Sequence, residues 1–408
     1  MSSNNNVSDL LQRLPESATL AMARMSRELK EQGKDVISLS LGEPDFDAPD
    51  FVKEACKEAV DDNYSHYPPV NGYLELREAI CTKFKRDNSL EYSPDQIVVS
   101  TGAKQSIANV VYALVNPGEE VLLPAPFWVS YAAMVQLAGG VPVIIPTKIE
   151  NDFKITAEEL KAHVTSNTKL MIYSSPCNPS GSVYTKKELA ELAEVIKSKS
   201  DFYVVSDEIY EHINYQGEHA SLGTIPGIFD QVITVNGVSK AFAMTGYRIG
   251  YIGAPLWIAK ACSKMQGQIT SAPSGVSQMA AKAAVDANPE RVAYMKEAFF
   301  KRRDLMLEKL GEIPGLKLNV PEGAFYIFPD TMELLGTVTE DGAEINTANE
   351  LCMYLLETES VALVSGEAFG AAECFRISYA ASEELLIEAA SRMKRAFGKL
   401  KKQAQVIV

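Results

Sequence analysis

A lysine follows one of the apolar, β-patterned segments of this chain. Lys240 lies five residues beyond the segment 232–235, directly behind Ser239, and Arg248 stands eight residues further on. The amine of a lysine can attack a carbonyl carbon to form an imine, and it can later move a proton. A single lysine is usually a solvated surface charge. The chemical interpretation therefore depends on the side chains that accompany Lys240.

Two further β-patterned segments end in side chains that suit a lysine-bound pyridoxal phosphate (PLP). Residues 201–207 close with Asp207, and Tyr210 follows three residues later, about one helical turn away and on the same side. Residues 169–175 run into a turn that contains Asn178. A carboxylate keeps the pyridine nitrogen protonated, and a phenol or an amide donates to the ring oxygen. The simpler alternatives are a helix N-cap for Asp207 and turn chemistry for Asn178.

A site for the phosphate group is predicted where residues 96–100 run into Gly102, Ala103 and Lys104. A helix-compatible stretch follows, so free backbone N–H groups and the helix dipole can hold an anion there. The planar guanidinium of Arg248 also suits a phosphate dianion. A tight strand-to-helix turn and an ordinary ion pair are the alternatives for these two features.

The elements that must position these groups are strands of one sheet. Short β-rich runs alternate with helical patterns, which indicates an α/β fold with a mainly parallel sheet covered by helices. Ligands bind such sheets at the carboxyl ends of the strands. Trp128 follows one of these runs and can stack on a flat ring, although a core aromatic is the simpler explanation. The clearest predicted strands are residues 96–100, 120–126, 169–175, 201–207 and 231–237.

The last hundred residues have a different pattern. A long charged helix is predicted around residues 291–310, and it is followed by three short β-rich runs. A final helix from about Ser382 places Leu386, Met393 and Phe397 on one face. We predict a large cofactor-binding domain over residues 46–300 and a smaller α+β domain formed by residues 1–45 and 301–408.

Composition excludes several classes of protein. The 408 residues carry 39 basic and 53 acidic side chains, and the net charge of −14 argues against a nucleic acid or an anionic membrane as partner. The six cysteines lack metal-type spacing, so we expect free thiols, no metal site and a cytoplasmic location. No G-x-G-x-x-G follows an early strand, and the TGAKQS segment lacks the upstream glycine of a P-loop.

Eight motifs in order along the chain resemble those of fold-type I PLP enzymes. The chain is similar to class I aminotransferases of the bacterial aspartate aminotransferase subgroup from about Pro15 to the C-terminal helix. The resemblance rests on SLGEPDF, YPPVNGYLELREAI, STGAKQS, PFWVSY, PCNPSG, SDEIYEH, NGVSKAFAMTGYRIGY and FRISYA.

The resemblance implies a role for each candidate residue. Lys240 would form the Schiff base, Asp207 would face the ring nitrogen, Tyr210 and Asn178 would contact the ring oxygen, and Trp128 would stack on the ring. The phosphate would be surrounded by Gly102, Ala103, Lys104, Ser239 and Arg248, with Tyr67 reaching it from the neighbouring subunit of a homodimer.

The resemblance also implies the substrates. Arg376 would bind the α-carboxylate, with help from the Gly42 N–H, Trp128 and Asn178, although a structural ion pair is the alternative for a buried arginine. L-aspartate and 2-oxoglutarate would be converted to oxaloacetate and L-glutamate with ping-pong kinetics. An aromatic, alanine, prephenate or broad-range aminotransferase is the alternative, and a decarboxylase or C–S lyase would use similar chemistry.

The resemblance leaves open which group binds the distal carboxylate. Lys104, with Ser17 or Thr19, is the candidate group for it. Relatives that accept prephenate carry a lysine before a Pro-Ser-Ala-Thr run, whereas this chain has Pro15 and Glu16 before Ser17. This difference argues against prephenate as a substrate.

Overall fold

The computed structural model describes residues 7–402, and a seven-stranded sheet lies at its centre. The order of its strands is β2-β8-β7-β6-β5-β3-β4, and only β8 runs antiparallel to its neighbours. The strands of the chain are β1 (Ile37–Ser38), β2 (Ile97–Thr101), β3 (Glu120–Pro124), β4 (Val141–Ile145), β5 (Thr168–Ser174), β6 (Tyr203–Asp207), β7 (Val232–Gly237), β8 (Ile249–Gly253), β9 (Tyr326–Ile327), β10 (Thr337–Val338), β11 (Glu344–Ile345), β12 (Val361–Ala362), β13 (Val364–Ser365), β14 (Phe375–Ser378) and β15 (Lys401–Lys402).

Helices cover both faces of this sheet, and several begin at side chains that cap them. At α8, the Thr185 hydroxyl accepts from the Glu188 N–H (3.2 Å), while the Glu188 carboxylate accepts from the Thr185 N–H (2.7 Å). The helices are α1 (Asp9–Arg13), α2 (Ala18–Glu31), α3 (Asp50–Asp61), α4 (Leu74–Asn88), α5 (Ala103–Leu114), α6 (Ser130–Leu137), α7 (Ala157–His163), α8 (Lys186–Lys197), α9 (Leu256–Ile269), α10 (Gly275–Asp286), α11 (Ala293–Gly311), α12 (Ala348–Glu359) and α13 (Glu383–Phe397).

All five predicted strands are confirmed, but β4 and β8 were not predicted. β4 contains Pro142 and lies at the sheet edge, where a missing N–H is tolerated. β8 carries glycines that a strand pattern does not favour. Gly250 is needed there because a Cβ would collide with the backbone of Ala103, and Gly253 because a Cβ would meet the Tyr92 ring. Close approach therefore outweighs local strand preference in β8.

The C-terminal third forms a smaller layer that includes the antiparallel sheet β13-β14-β9. The predicted helices correspond to α11 and α13, and Leu386, Met393 and Phe397 are buried on one face of α13. β1 pairs in parallel with β12, so the N-terminal segment joins this layer. The division into two domains remains a prediction. Its boundary at residue 300 falls within α11, and residues 1–6 and 403–408 lie outside the described residues.

The six cysteines are all free. Across residues 7–402, none of the helices is both long and apolar enough to cross a membrane.

A buried network of charged side chains lies behind the segment that follows β6. Glu208 accepts from the Ser206 hydroxyl (2.8 Å), the Asn88 amide (3.1 Å) and the His219 ring (2.9 Å). The same Asn88 amide donates to Glu211 (2.6 Å). The network therefore ties α4 to the turn that carries Asp207 and Tyr210.

Lys83 is the principal counter-charge of Glu211 in this network. Both side chains are almost fully buried. The Lys83 ammonium contacts the Glu211 carboxylate and donates to the side-chain oxygen of Asn88 (2.6 Å). Burial alone would raise the pKa of the Glu211 carboxyl, but Lys83, His212 and His219 lower it to about 2. Because this folded-state pKa lies below the ordinary value, the ionised carboxylate stabilises the fold at neutral pH. That stability is lost as pH falls toward 2.

We expect Glu211→Gln to lower the free energy of unfolding at pH 7 by about 3 to 5 kcal/mol, because it removes the carboxylate in direct contact with the buried Lys83 charge and leaves only Asp87, 3.8 Å away. Urea denaturation followed by circular dichroism measures this change. Glu191→Gln, at an exposed position of α8, is the matched control. A loss below about 1 kcal/mol for Glu211→Gln would show that the ion pair does not stabilise the turn.

Candidate active site

One cavity of about 240 Å³ gathers most of the predicted residues. It lies at the carboxyl ends of the central strands, where the chain leaves β5, β6 and β7. The predicted residues that line it are Gly42, Ala103, Lys104, Trp128, Asn178, Asp207, Tyr210, Ser239, Lys240, Arg248 and Arg376. Ser17 and Thr19 from the N-terminal segment of the chain also line it. Gly102 lies behind this wall, and Tyr67 lies elsewhere.

Lys240 stands at the wall of the cavity, three residues beyond the end of β7. Its ammonium donates to the Gly42 carbonyl oxygen and lies 6.0 Å from the centre of the Tyr210 ring. Burial lowers the pKa of Lys240 to about 8, and Glu43 partly opposes this shift. An amine with such a pKa gains and loses a proton near neutral pH, as a nucleophile and proton carrier must.

Asp207 ends β6 and is buried beside the cavity. It accepts from the Tyr131 hydroxyl (2.6 Å) and from the Ile209 N–H (3.3 Å). Burial raises the pKa of the Asp207 carboxyl to about 6, whereas the bond from Tyr131 opposes the rise. The carboxylate therefore prevails at neutral pH and can stabilise a cationic ring nitrogen.

The segment after Asp207 is a turn rather than a helix. Glu211 N–H bonds to the Glu208 carbonyl oxygen (2.9 Å) and Ile213 N–H to the Tyr210 carbonyl oxygen (2.8 Å), and residues 208–213 contain no helical run. Asp207 is thus not a helix N-cap. Tyr210 shares the cavity with it through the turn, not through the helical spacing that the sequence suggested.

The predicted phosphate region is a cradle at the start of α5. Gly102 has a φ of 81° and precedes the helix, and a Cβ on it would collide with the Arg248 guanidinium. Arg248 donates to the Thr245 carbonyl oxygen (2.8 Å), and no carboxylate within residues 7–402 pairs with it. The ordinary ion pair considered for Arg248 is therefore absent. The free N–H groups of α5 and this cation suit a phosphate dianion.

Arg376 is 1% exposed and lies on β14 with its guanidinium directed at the cavity. It donates to the Asn178 side-chain oxygen (2.8 Å) and to the Ser40 carbonyl oxygen, and its Nε has no hydrogen-bond partner. No carboxylate of the described part of the chain pairs with it, so the structural ion pair is excluded. A buried cation without a counter-ion is a site for an anionic ligand group.

Trp128 and Lys104 also line the cavity. The Lys104 ammonium lies 4.9 Å from the centre of the Trp128 ring. Trp128 is only half-buried, so it is more than a core aromatic. Burial lowers the pKa of Lys104, and Arg248 adds to this effect. With Ser17 and Thr19 nearby, this part of the cavity offers a cation and two hydroxyl groups to a ligand.

Tyr67 is the one predicted residue that the single chain places outside the site. It lies in the irregular segment between α3 and α4 and is 99% exposed. Within one chain it contacts neither the cavity nor the Gly102 cradle. Its predicted role requires a second copy of the chain.

Sequence reasoning missed several cavity residues, among them Tyr131 and Tyr326, whose hydroxyl groups contact predicted side chains. Tyr131 lies three residues after Trp128, at the start of α6, and its hydroxyl reaches Asp207. A polar aromatic one helical turn from a candidate ring-stacking residue is the signal that could have found it. Tyr326 lies in β9, and its hydroxyl is 2.6 Å from that of Tyr210. No local spacing connects these two tyrosines.

The residues present fit PLP. The glycine cradle leaves room for an arginine beside a helix N-terminus, and a buried carboxylate and an amine with a lowered pKa line the same cavity. These are the three groups that the phosphate, the ring nitrogen and the aldehyde of the cofactor require.

Comparisons with known proteins agree with this chemistry. An aspartate aminotransferase from Pinus pinaster is 46% identical over 387 residues, which are 94% of this chain and 79% of that protein. An aspartate/prephenate aminotransferase from Cereibacter sphaeroides is 45% identical over 95% of this chain and 98% of its own length. The crystal structure of an aspartate aminotransferase from Rhizobium meliloti superposes with a TM-score of 0.94 at 41% identity, covering 97% of this chain and all of that one.

The family model for class I and II aminotransferases matches residues 34–393. This match spans both the central sheet and the C-terminal layer, and the family uses PLP. The chain therefore belongs to the class I and II aminotransferase family.

Proposed function

We propose that this aminotransferase acts on L-aspartate and 2-oxoglutarate, yielding oxaloacetate and L-glutamate through PLP linked to Lys240. The observation that carries the proposal is the buried, unpaired guanidinium of Arg376 in the same cavity as Lys240 and Asp207. An α-carboxylate bound at Arg376 lies close to the amine that would act on the neighbouring carbon. The printed names of the relatives support aspartate as the amino donor.

The chain's own residues would hold the cofactor at three points. The N–H groups of Ala103 and Lys104, with Ser239 and Arg248, would bind the phosphate. Asp207 would bind the ring nitrogen, Tyr210 and Asn178 the ring oxygen, and Trp128 would cover one ring face. When bound, PLP supplies an electron-accepting ring that stabilises negative charge at the substrate Cα.

Proton transfer falls to Lys240. With PLP bound, the Lys240 amine would remove the proton from the substrate Cα and would carry that proton for the rest of the transfer. Arg376 and the Gly42 N–H hold the α-carboxylate during this transfer, which favours retention of that group over its loss as CO₂. The decarboxylase alternative is disfavoured for the same reason.

We also propose that Lys104 binds the distal carboxylate of a dicarboxylic substrate. Its ammonium lies over the Trp128 ring, and it lines the same cavity as Arg376, Ser17 and Thr19. Two cationic groups in one cavity suit the two carboxylates of aspartate or 2-oxoglutarate.

A broader substrate range, including prephenate, is the second candidate. The name of the Cereibacter sphaeroides relative favours it. Glu16 opposes it, because this acidic residue, paired with Arg24 (3.2 Å), stands next to Ser17 where a cation would help to bind another carboxylate.

A homodimer is proposed because Tyr67 is fully exposed although its predicted ligand lies in a cavity. A second copy that presents its Tyr67 to the Gly102 cradle would add one donor to the phosphate and bury this aromatic ring.

We propose the cytoplasm as the location, since six free cysteines fit a reducing compartment.

We expect purified protein to show the absorbance band of lysine-linked PLP, to lose this band on addition of L-aspartate, and to regain it with 2-oxoglutarate. The two additions test the two half-reactions separately. Absorbance spectra of the wild type and of Lys240→Ala, recorded over the range of about 300 to 500 nm in which PLP absorbs, measure the effect. If L-aspartate leaves the absorbance band of lysine-linked PLP unchanged, the assignment of aspartate as substrate is wrong. If no such band forms after PLP is added, the assignment of the cofactor site is wrong.

Lys104→Met should reduce the ratio of kcat/KM for L-aspartate to kcat/KM for L-alanine by about 10- to 100-fold, because alanine lacks the distal carboxylate. The backbone N–H at position 104 is unchanged, so the phosphate cradle is kept. Lys161→Met, at an exposed position of α7, is the control. An unchanged ratio would exclude Lys104 as the distal group.

Sedimentation should give a mass twice the chain mass of 44.6 kDa. Tyr67→Phe should raise the dissociation constant for PLP by about tenfold, because one charge-assisted hydrogen bond is lost. Tyr64→Phe changes a neighbouring tyrosine that bonds to Glu75 (3.2 Å) and should leave PLP affinity unchanged. A monomeric mass, or equal affinity for Tyr67→Phe and wild type, would contradict the shared site.

A further inference from the structure

Tyr326 connects two parts of the site that belong to different sheets. It lies in β9 of the C-terminal layer, whereas Tyr210 follows β6 of the central sheet. Their hydroxyl oxygens are 2.6 Å apart, and both side chains are buried at the cavity wall. This bond therefore spans 116 residues of sequence and both layers of the molecule.

The direction of the bond that the proposed function requires follows from counting protons. A phenol has one proton to donate, and Tyr210 can give its proton to a ligand in the cavity only if Tyr326 donates to Tyr210. The Tyr326 hydroxyl has no other hydrogen-bond partner within residues 7–402. It is confined on its other side by Gly42, where any Cβ would collide with it. Burial raises the pKa of the Tyr326 phenol, so the donor proton is retained.

The ring of Tyr326 has a second contact. The Arg376 guanidinium carbon lies 4.6 Å from the centre of the Tyr326 ring, and the Phe369 ring lies 5.0 Å from the same carbon. The guanidinium thus contacts two aromatic rings, which hold it while its Nη1 bonds to Asn178. Tyr326 touches the ligand-facing phenol with its hydroxyl and the ligand-facing guanidinium with its ring.

We propose that Tyr326 is a positioning residue for both ligands: its hydroxyl orients the Tyr210 proton toward the cofactor ring oxygen, and its ring fixes the Arg376 guanidinium for the α-carboxylate. This inference rests on the proposed function. It adds a residue whose two effects are carried by different atoms, so that two substitutions can separate them.

The first effect is read from the protonation of the Lys240–PLP linkage. A donor at the ring oxygen stabilises that oxygen most when the linkage nitrogen has lost its proton, so a well-oriented Tyr210 lowers the pKa of the linkage. Tyr326→Phe removes the supporting hydroxyl and keeps the ring. The absorbance midpoint of the holoenzyme should then rise by about 0.2 to 0.7 pH unit.

The second effect is read from binding of maleate, a dicarboxylate that has no amino group to transfer. At a pH below both absorbance midpoints, Tyr326→Phe should bind maleate within about twofold of wild type, because its ring still covers Arg376. Tyr326→Leu should weaken maleate binding by about tenfold or more through loss of the ring contact. Spectral titration of the linked PLP measures both dissociation constants.

Tyr379→Phe is the matched control, because it also removes a buried tyrosine hydroxyl. The Tyr379 hydroxyl donates to the Ala324 carbonyl oxygen (3.2 Å), and Tyr379 does not line the cavity. This substitution should change neither the midpoint nor maleate affinity. The inference is overturned if Tyr326→Phe leaves the midpoint unchanged, if Tyr379→Phe moves it equally, or if Tyr326→Leu binds maleate as wild type does. Failure of the wild type to form the linkage would instead overturn the proposed function itself.

Discussion

The organisation of this molecule depends on gathering positive charge in one cavity. Lys104, Lys240, Arg248 and Arg376 line this cavity, and among the described residues that line it Asp207 is the only carboxylate. Like charges so placed repel one another, and the buried Arg376 also loses hydration, so the arrangement is costly unless anionic ligands enter. A chain with a net charge of −14 therefore keeps its affinity for anions local to one site.

The sheet makes this gathering possible because its parallel strands release their chains at one edge. The turns after β5, β6 and β7 carry Asn178, Asp207 and Lys240, and β14 from the other layer brings Arg376 against them. Each group rests on a fixed support. Tyr131 holds Asp207, Asn178 holds Arg376, and the network around Glu208 holds the turn after β6.

Sequence could predict the site residues whose type suits the chemistry and whose position directly follows a recognisable strand. The β-rich runs before Asn178, Asp207 and Lys240 are apolar enough to identify as strands, and the strand ends then locate the site. Sequence could not predict β8, whose glycines are dictated by contacts with Ala103 and Tyr92.

The hydrogen bonds that support the site were also beyond local reasoning, because they join residues far apart in sequence. The spacing from Trp128 could have identified Tyr131 as a site residue, but not its bond to Asp207. Tyr131 lies 76 residues from Asp207, and Tyr326 lies 116 residues from Tyr210. Neither pair leaves a periodic signal, so only the folded chain brings them together. The fold class and the principal site residues were thus accessible from sequence, while the hydrogen bonds that orient them were not.

The turn after β6 has two sides with different structural roles. Asp207 and Tyr210 point into the cavity, whereas Glu208 and Glu211 point backward into the polar network with Asn88. A mutational scan of this short segment would thus record loss of activity at all four positions for two unrelated reasons. Substitutions of Glu208 or Glu211 should be accompanied by substitutions in α4, whose Asn88 bonds to both. In divergent relatives, α4 is therefore the place to look for compensating mutations.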